Sequence, residues 1–306
     1  MGPLSNHWRF DAPGDSKRAG GARTGRTALP AAHDPGVRDG QEVEMPRMRT
    51  LARMLRSAYC RAALRASEAY YGWRWWRAVS AGGARAKVRT ESSYTCSEVR
   101  YFLLRETEVA GRFLDLLRPD DVVYDVGANV GIYTVLAANI LGGGEVIAFE
   151  PFPPNRRELE RNLALNDSDA EVVDVALADE TGEAAFTSPA GCEEGCGIAS
   201  IQRDGSGEFF VEMTPVDSLV GDEVPPPDAV KIDVEGAELR VLEGMDEALK
   251  GVRSLLCEVH RPSDHRLSIE SFGGSKSELE EYLRSRGFSV ATIAEGRRED
   301  YVLAEA

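Results

Sequence analysis

The sequence predicts a doubly wound α/β fold: a mostly parallel sheet, covered by helices on both faces, with an antiparallel terminal strand. Three observations lead there. From about residue 97 short apolar runs alternate with helical patterns. The run Val122–Val126 breaks into Gly127-Ala128-Asn129-Val130-Gly131 and continues as the helical run Ile132–Ala138. Asp125, Glu150, Asp233 and Glu258 all fall at the ends of predicted strands, and open sheets of this kind bind ligands beyond the carboxyl ends of their strands.

Along the chain, residues 1–45 are rich in Gly, Ala, Pro, Asp and Arg and show no apolar periodicity. They cannot bury enough surface to offset their ordering entropy, so disorder is expected. They lack the apolar core of a secretory signal, which points to the cytoplasm. A start at Met45 or Met48 would remove them without harm to the domain. Residues 46–96 form a second segment, with Leu51, Met54, Leu55 and Ala58 at helical spacing and arginines on much of the other face. Trp73, Trp75 and Trp76 follow, interleaved with Arg74 and Arg77. Two readings stay open for residues 46–90: a basic amphipathic helix lying peripherally on an anionic membrane, or a helix docked on the acidic domain. The run is too polar to span a bilayer.

Residues 97–306 are the expected catalytic domain. Val99–Leu104 reads as an edge strand and Val109–Leu117 as a helix ending before Pro119. Val122–Val126 is the first central strand. Gly131–Leu141 is a helix stopped by Gly142-Gly143-Gly144. Glu145–Phe149, Glu171–Ala176, Val230–Val234 and Ser254–Glu258 are further strands. Asn155–Asn166 and Ser277–Arg286 are helices, and Ser289–Ile293 with Tyr301–Leu303 close the sheet.

The glycine loop points to a nucleoside-containing ligand. A strand, a glycine turn and a helix start expose backbone N–H groups that a ligand can approach closely. The spacing is not that of a dinucleotide fingerprint, because Gly127 and Gly131 are four apart. Asn129 between them is a residue type that tolerates the left-handed region. Asp125 would repel a pyrophosphate and attract an ammonium, which favours S-adenosyl-L-methionine over NAD; the alternative is that Asp125 only caps the loop. Glu150 lies where ribose hydroxyls would be offered. Ala176, and less directly Asp174, would line the adenine pocket after the third strand.

Three more strings complete the pattern: Val230-Lys231-Ile232-Asp233-Val234-Glu235-Gly236-Ala237-Glu238 followed by Val241-Leu242-Glu243-Gly244; Thr214-Pro215-Val216-Asp217-Ser218-Leu219; and Leu255-Leu256-Cys257-Glu258-Val259-His260. With Asp125–Gly131 and Glu150-Pro151, the chain from about residue 97 resembles the FkbM family of S-adenosylmethionine-dependent methyltransferases. The resemblance implies a Rossmann-like class I methyltransferase sheet and methyl transfer to a hydroxyl oxygen of a glycan or a natural product; a lipid-linked sugar would also suit a membrane-associating N-terminus. An alcohol must lose its proton as it attacks, and Asp233, Glu235, Glu258 and His260 are the candidates to receive it. Glu238 is weighed with them, against a role in capping the helix that follows. The rival readings are an NAD-dependent oxidoreductase and a non-catalytic binding protein that retains the fold.

Charge narrows the partners. The 306 residues carry 36 Lys and Arg against 51 Asp and Glu, a net charge of −15. Residues 1–90 hold 17 basic and 7 acidic residues, so the remainder carries a net −25. An acidic domain repels phosphates, which excludes nucleic acid as a partner and leaves a small molecule, glycan or lipid-linked sugar. Only five basic residues are Lys, and an acidic, Lys-poor surface suits high salt. Cys60, Cys96, Cys192, Cys196 and Cys257 are an odd number and do not form a secreted disulfide framework. Cys192 and Cys196 offer half of a zinc site with no second pair to complete it, so no metal is expected from spacing alone. Cys257 lies in an apolar run and reads as a buried thiol.

Overall fold

The computed structural model describes residues 75–187, 200–201, 209–262 and 267–306, all within the compact unit Leu64–Ala306. The expected disordered segment 1–45, the amphipathic pattern up to residue 74, and Cys192 with Cys196 lie outside the described residues.

The described chain opens with a β-hairpin, β1 (Trp76–Ala81) and β2 (Ala84–Arg89). The sequence reading had extended a basic helical segment over these residues. They pair as strands because buried Val79, Ala84, Ala86 and Val88 follow a two-residue alternation on the hairpin, with Arg85 and Lys87 turned outward. Their burial also carries the compact unit N-terminal of the expected boundary at residue 97.

Helix α1 (Ser93–Tyr101) and a π-helical turn at Phe102–Glu106 follow. This corrects the edge strand expected at Val99–Leu104. Cys96, Val99 and Phe102 recur every three residues and are buried, and Ser92 with Thr95 forms a capping box at the helix start. Helix α2 (Thr107–Leu114) then leads to β3 (Val122–Val126), α3 (Ile132–Ala138), β4 (Glu145–Phe149), α4 (Pro153–Asn166) and β5 (Glu171–Val173). The expected third strand breaks after Val173. Its last residues belong to β6 (Ala176–Leu177), which joins β7 (Gly182–Thr187), β8 (Ser200–Ile201) and β9 (Phe209–Thr214) in a separate four-stranded sheet of order β6-β9-β7-β8. The chain re-enters the main sheet with β10 (Ala229–Ile232), α5 (Glu238–Glu243), β11 (Ser254–His260), α6 (Lys276–Ser285), β12 (Ser289–Glu295) and β13 (Glu299–Glu305).

The main sheet has seven strands in the order β12-β13-β11-β10-β3-β4-β5. The five from β11 to β5 are parallel, and β13 and β12 are the antiparallel terminal pair. The fold is the doubly wound α/β sheet that the sequence predicts. Side-chain alternation divides the apolar core between its two faces. Val123, Ala148, Ala229 and Leu256 pack on one side with the hairpin and α2–α4. Tyr124, Val126, Ile147, Phe149, Val230, Ile232 and Leu255 pack on the other with residues of α5 and α6.

The strand order reverses between β3 and β10, and a ligand crevice opens where such a reversal occurs. Two contacts set its floor. Gly127 has φ +74°, and a Cβ there would overlap the backbone carbonyl oxygen of Asp233 at the end of β10. Asn162, fully buried on α4, donates from Nδ2 to the Val130 carbonyl at 2.8 Å while its Oδ1 accepts from the Arg89 amide at 2.8 Å. One side chain thus joins hairpin, helix and glycine loop. Several family-like strings prove structural in the same way. Asp217 accepts from the amides of Glu247 and Ala248, and Gly244 packs where a Cβ would overlap the Ala178 carbonyl oxygen.

Gly127→Ala should therefore cost at least about 2 kcal/mol, since it combines a left-handed φ with a backbone clash. Gly143→Ala, with open space around its Cβ, should stay within about 0.5 kcal/mol of the parent. Urea unfolding of both variants measures the difference, and equal midpoints would contradict this packing.

Candidate active site

A cavity open to solvent lies at the carboxyl ends of β3, β4 and β10. Gly127, Asn129, Glu150 and Phe152 form one wall, Val175, Ala176, Leu177 and Phe186 an apolar shelf, and Asp233, Val234 and Glu235 the opposite wall.

The first wall is built around Glu150, which is buried. Its two carboxylate oxygens accept the Asn129 and Phe152 amides, each at 2.8 Å. Burial pushes its pKa up to about 7, against the lowering pull of those two amides. Asn129 adopts φ +55°, as its residue type allows. Its side chain is held at both ends: Oδ1 accepts from the Tyr94 hydroxyl at 2.7 Å, and Nδ2 donates to Glu98 at 3.0 Å. Tyr94 and Glu98 are missed in the sequence because the start of α1 is not recognised upstream of the strand expected at Val99–Leu104. The Ser-x-x-Thr pair at its start was the available signal.

Two expected cofactor residues sit elsewhere. Asp125 is buried but is not part of the cavity lining. Alternation along β3 turns Val126 to the cavity and Asp125 toward α3, where its Oδ2 accepts from the Thr134 hydroxyl at 2.6 Å and its Oδ1 is 3.5 Å from Lys231 Nζ. Asp125, expected near a ligand ammonium, thus stands beneath the loop rather than on the cavity surface. Asp174 is exposed and pairs with Arg156 at 3.5 Å, so the residues that line the shelf are Val175, Ala176 and Leu177. Ala176 is where it was expected, and Gly127 lines the cavity as expected. Gly131, with φ +82°, closes the loop against Leu159.

The opposite wall concentrates charge. Lys231 is buried on β10 with Nζ 3.5 Å from both Asp125 and Asp233 and 5.0 Å from the centre of the Tyr133 ring. Burial works to lower its pKa, but the fields of Asp233, Asp125 and Glu258 outweigh it and hold the ammonium charged. Behind Asp233 and Glu235 lies His260, 2% exposed. Its Nδ1 is 2.7 Å from Glu238, itself fully buried and also accepting the Gly236 amide at 2.8 Å. Its Nε2 faces Asp233 at 3.8 Å, Glu235 at 3.7 Å and Glu258 at 3.7 Å. Burial alone would lower the imidazole pKa; Glu238, Asp233 and Glu235 together push it up to about 10. In this arrangement His260 keeps its proton at neutral pH, which argues against its expected role as the base. Desolvation, with Asp233 and Glu106 nearby, drives Glu258 well above the usual carboxylate range. Glu106, on the π-helical turn, is pushed up to about 8 by burial and Asp233; it carried no recognisable pattern in the sequence. Glu235 holds φ +52°, a left-handed conformation that costs energy in a non-glycine residue.

Residues 125–290 match the family profile described as the methyltransferase FkbM domain. The chain belongs to the FkbM methyltransferase family. Among curated relatives, the hexuronic acid methyltransferase AglP of Haloferax volcanii is 29% identical over 239 residues, covering 74% of this chain and 95% of AglP. The AMB antimetabolite synthetase AmbE of Pseudomonas aeruginosa is 32% identical over 222 residues, covering 60% of this chain but only 10% of that much longer protein. Among solved structures, a precorrin-6y C5,15-methyltransferase from Geobacter metallireducens aligns with a TM-score of 0.41 at 16% identity, covering 65% of this chain and 88% of that one. This FkbM-family chain is accordingly a methyltransferase with a Rossmann-like sheet. The oxidoreductase and non-catalytic alternatives fall away. No helix among the described residues is long and apolar enough to cross a membrane.

The Glu150 environment has a measurable consequence. Its pKa is higher in the folded chain than in the unfolded one, so the folded state binds the extra proton between pH 4.5 and 7. Stability attributable to Glu150 therefore falls as pH rises through that window and levels off above it. Relative to Glu150→Gln, the parent should lose on the order of 3 kcal/mol between pH 4.5 and 7.5. Denaturant titrations at stepped pH read this double difference, and parallel pH profiles would contradict the burial of an ionisable group here.

Proposed function

We propose that this protein transfers a methyl group from S-adenosylmethionine to a hydroxyl of a glycan or glycolipid. The observation that carries the reading is a single cavity with Glu150 and the glycine loop on one wall and Asp233 with Glu235 on the other. The residues present fit the donor. Glu150 is a buried acceptor at the cavity edge for ribose hydroxyls. Gly127 and Asn129 give backbone access for the amino-acid portion. Val175, Ala176 and Leu177 offer an apolar surface for adenine. Asp125 and Lys231 hold the strand ends beneath the loop.

The donor supplies a methyl already activated on a sulfonium: the new O–C bond forms as the S–C bond breaks, and the electron pair returns to sulfur. The protein's tasks are to align the acceptor oxygen, exclude water and receive one proton. Glu235 is the candidate to receive it, supported by its position in the cavity lining and its left-handed backbone. The protonated His260 behind it offsets the gathered carboxylates. A sugar hydroxyl as acceptor is supported by the relative named as a hexuronic acid methyltransferase.

Glu150→Ala should weaken donor binding by roughly a hundredfold, the loss of about 3 kcal/mol of charge-assisted hydrogen bonding. Because the charged carboxylate is the better acceptor, parent affinity should tighten as pH rises through about 7. Calorimetry of parent and variant at pH 6 and 8 tests both statements; near-normal affinity in the variant would refute the assignment. Incubation with donor and uronic-acid or neutral-sugar glycans should yield products heavier by one methyl on oxygen. Methyl found only on nitrogen or carbon would overturn the acceptor class.

A further inference from the structure

We propose that Asp233, Glu258 and His260 form a binding site for a divalent first-row metal ion beside the cavity. The inference deepens the methyl-transfer reading, on which its role in catalysis rests, but the binding itself does not depend on that reading.

The three residues stand at the ends of neighbouring strands β10 and β11, and one ligand atom from each lies within 4.8 Å of the others. His260 Nε2 is 3.8 Å from Asp233 Oδ1 and 3.7 Å from Glu258 Oε1. Two metal–ligand bonds of about 2.1 Å span up to about 4.2 Å, so one ion can reach all three with small side-chain adjustments. Independent of this clustering is the state of Glu258. Its side chain is 9% exposed, and its carboxylate accepts no hydrogen bond among the described residues. A buried carboxylate is costly unless a cation or donors meet it, and the cationic group nearest this one is His260 Nε2 at 3.7 Å, beyond hydrogen-bond reach.

The outer arrangement agrees. Glu238 grips Nδ1 at 2.7 Å and is itself fixed by the Gly236 amide. A carboxylate on the far nitrogen is the partner that orients an imidazole for metal binding through its other nitrogen. Four carboxylates, those of Asp233, Glu235, Glu238 and Glu258, surround this ring, with Lys231 shared between Asp233 and Asp125. The negative excess is what a divalent ion would neutralise, taking the place of the imidazole proton. One imidazole nitrogen and two carboxylate oxygens suit Mn²⁺, Fe²⁺ or Zn²⁺ better than Ca²⁺, which prefers oxygen alone. Asp233 lines the cavity, so the ion's open positions would face the acceptor. There it would hold the acceptor hydroxyl oxygen and ease loss of its proton to Glu235.

The test uses the full chain freed of metal, with Mn²⁺ as the probe, followed by calorimetry and by the paramagnetic resonance of free Mn²⁺ without any methyl donor. One Mn²⁺ should bind per chain. Asp233→Asn and Glu258→Gln should each weaken binding at least tenfold, while Glu108→Gln, on the exposed face of α2, should leave it unchanged. Asp233 is part-exposed, so its variant remains informative if the buried Glu258 change impairs folding, which thermal melts would reveal. Absence of stoichiometric binding to the parent, or folded Asp233→Asn binding Mn²⁺ like the parent, overturns the site. Metal binding with no methyl product on any acceptor would instead count against the proposed reaction alone.

Discussion

The amide of Asn129 donating to Glu150 is the contact on which the cavity depends. It ties the turn after β3 to the end of β4, so two neighbouring strands present their ends as one surface. The tie needs a left-handed Asn129, a glycine at 127 that lets the loop touch the Asp233 backbone, and a buried carboxylate with few alternatives. Tyr94 and Glu98 then fix the Asn129 side chain from outside the sheet. Each element is marginal alone. Together they over-determine a strained turn, which is how such backbone conformations persist.

The opposite wall is governed by charge. Carboxylates are gathered there more densely than hydrogen-bond donors, and Lys231 and His260 are the cations that face them. Low local polarity strengthens every one of these interactions and also makes an unmet carboxylate costly. The outcome is graded by position: Asp233 and Glu235 line the cavity, Glu258 shares the Nε2 side of the imidazole with them, and Glu238 alone holds Nδ1. The same residue type thereby serves at the surface of the site and in its support.

Much of this was legible in the sequence because strand ends are marked by period and punctuation. Val122–Val126 and Glu145–Phe149 appear with the expected bounds, and the placement of Glu150, Asp233 and Glu235 on one cavity follows from strand ends meeting at a switch point. The direction of single side chains was harder to read. Asp125 and Val126 are adjacent, yet only the pleat decides which faces the cavity, and Asp174 lost its place to the break after Val173. The run Val99–Leu104 reads as a strand but forms the end of α1 and the π-helical turn, because a short apolar run fits both, and the capping pair lies upstream of it at Ser92 and Thr95. Glu106 and Tyr94 reach the site by tertiary contact, for which local pattern holds no trace.

The break at Asp174-Val175 also separates two tasks. Before it, the chain belongs to the sheet whose strand ends form the Glu150 wall; after it, β6 opens an independent small sheet that β9 closes by pairing with it directly. Val175, Ala176, Leu177 and Phe186 carry that small sheet to the edge of the cavity. Changes within the small sheet can therefore leave the parallel core undisturbed, since β6 and β9 pair outside it. Such a seam would let related chains reshape one side of the cavity while inheriting the other.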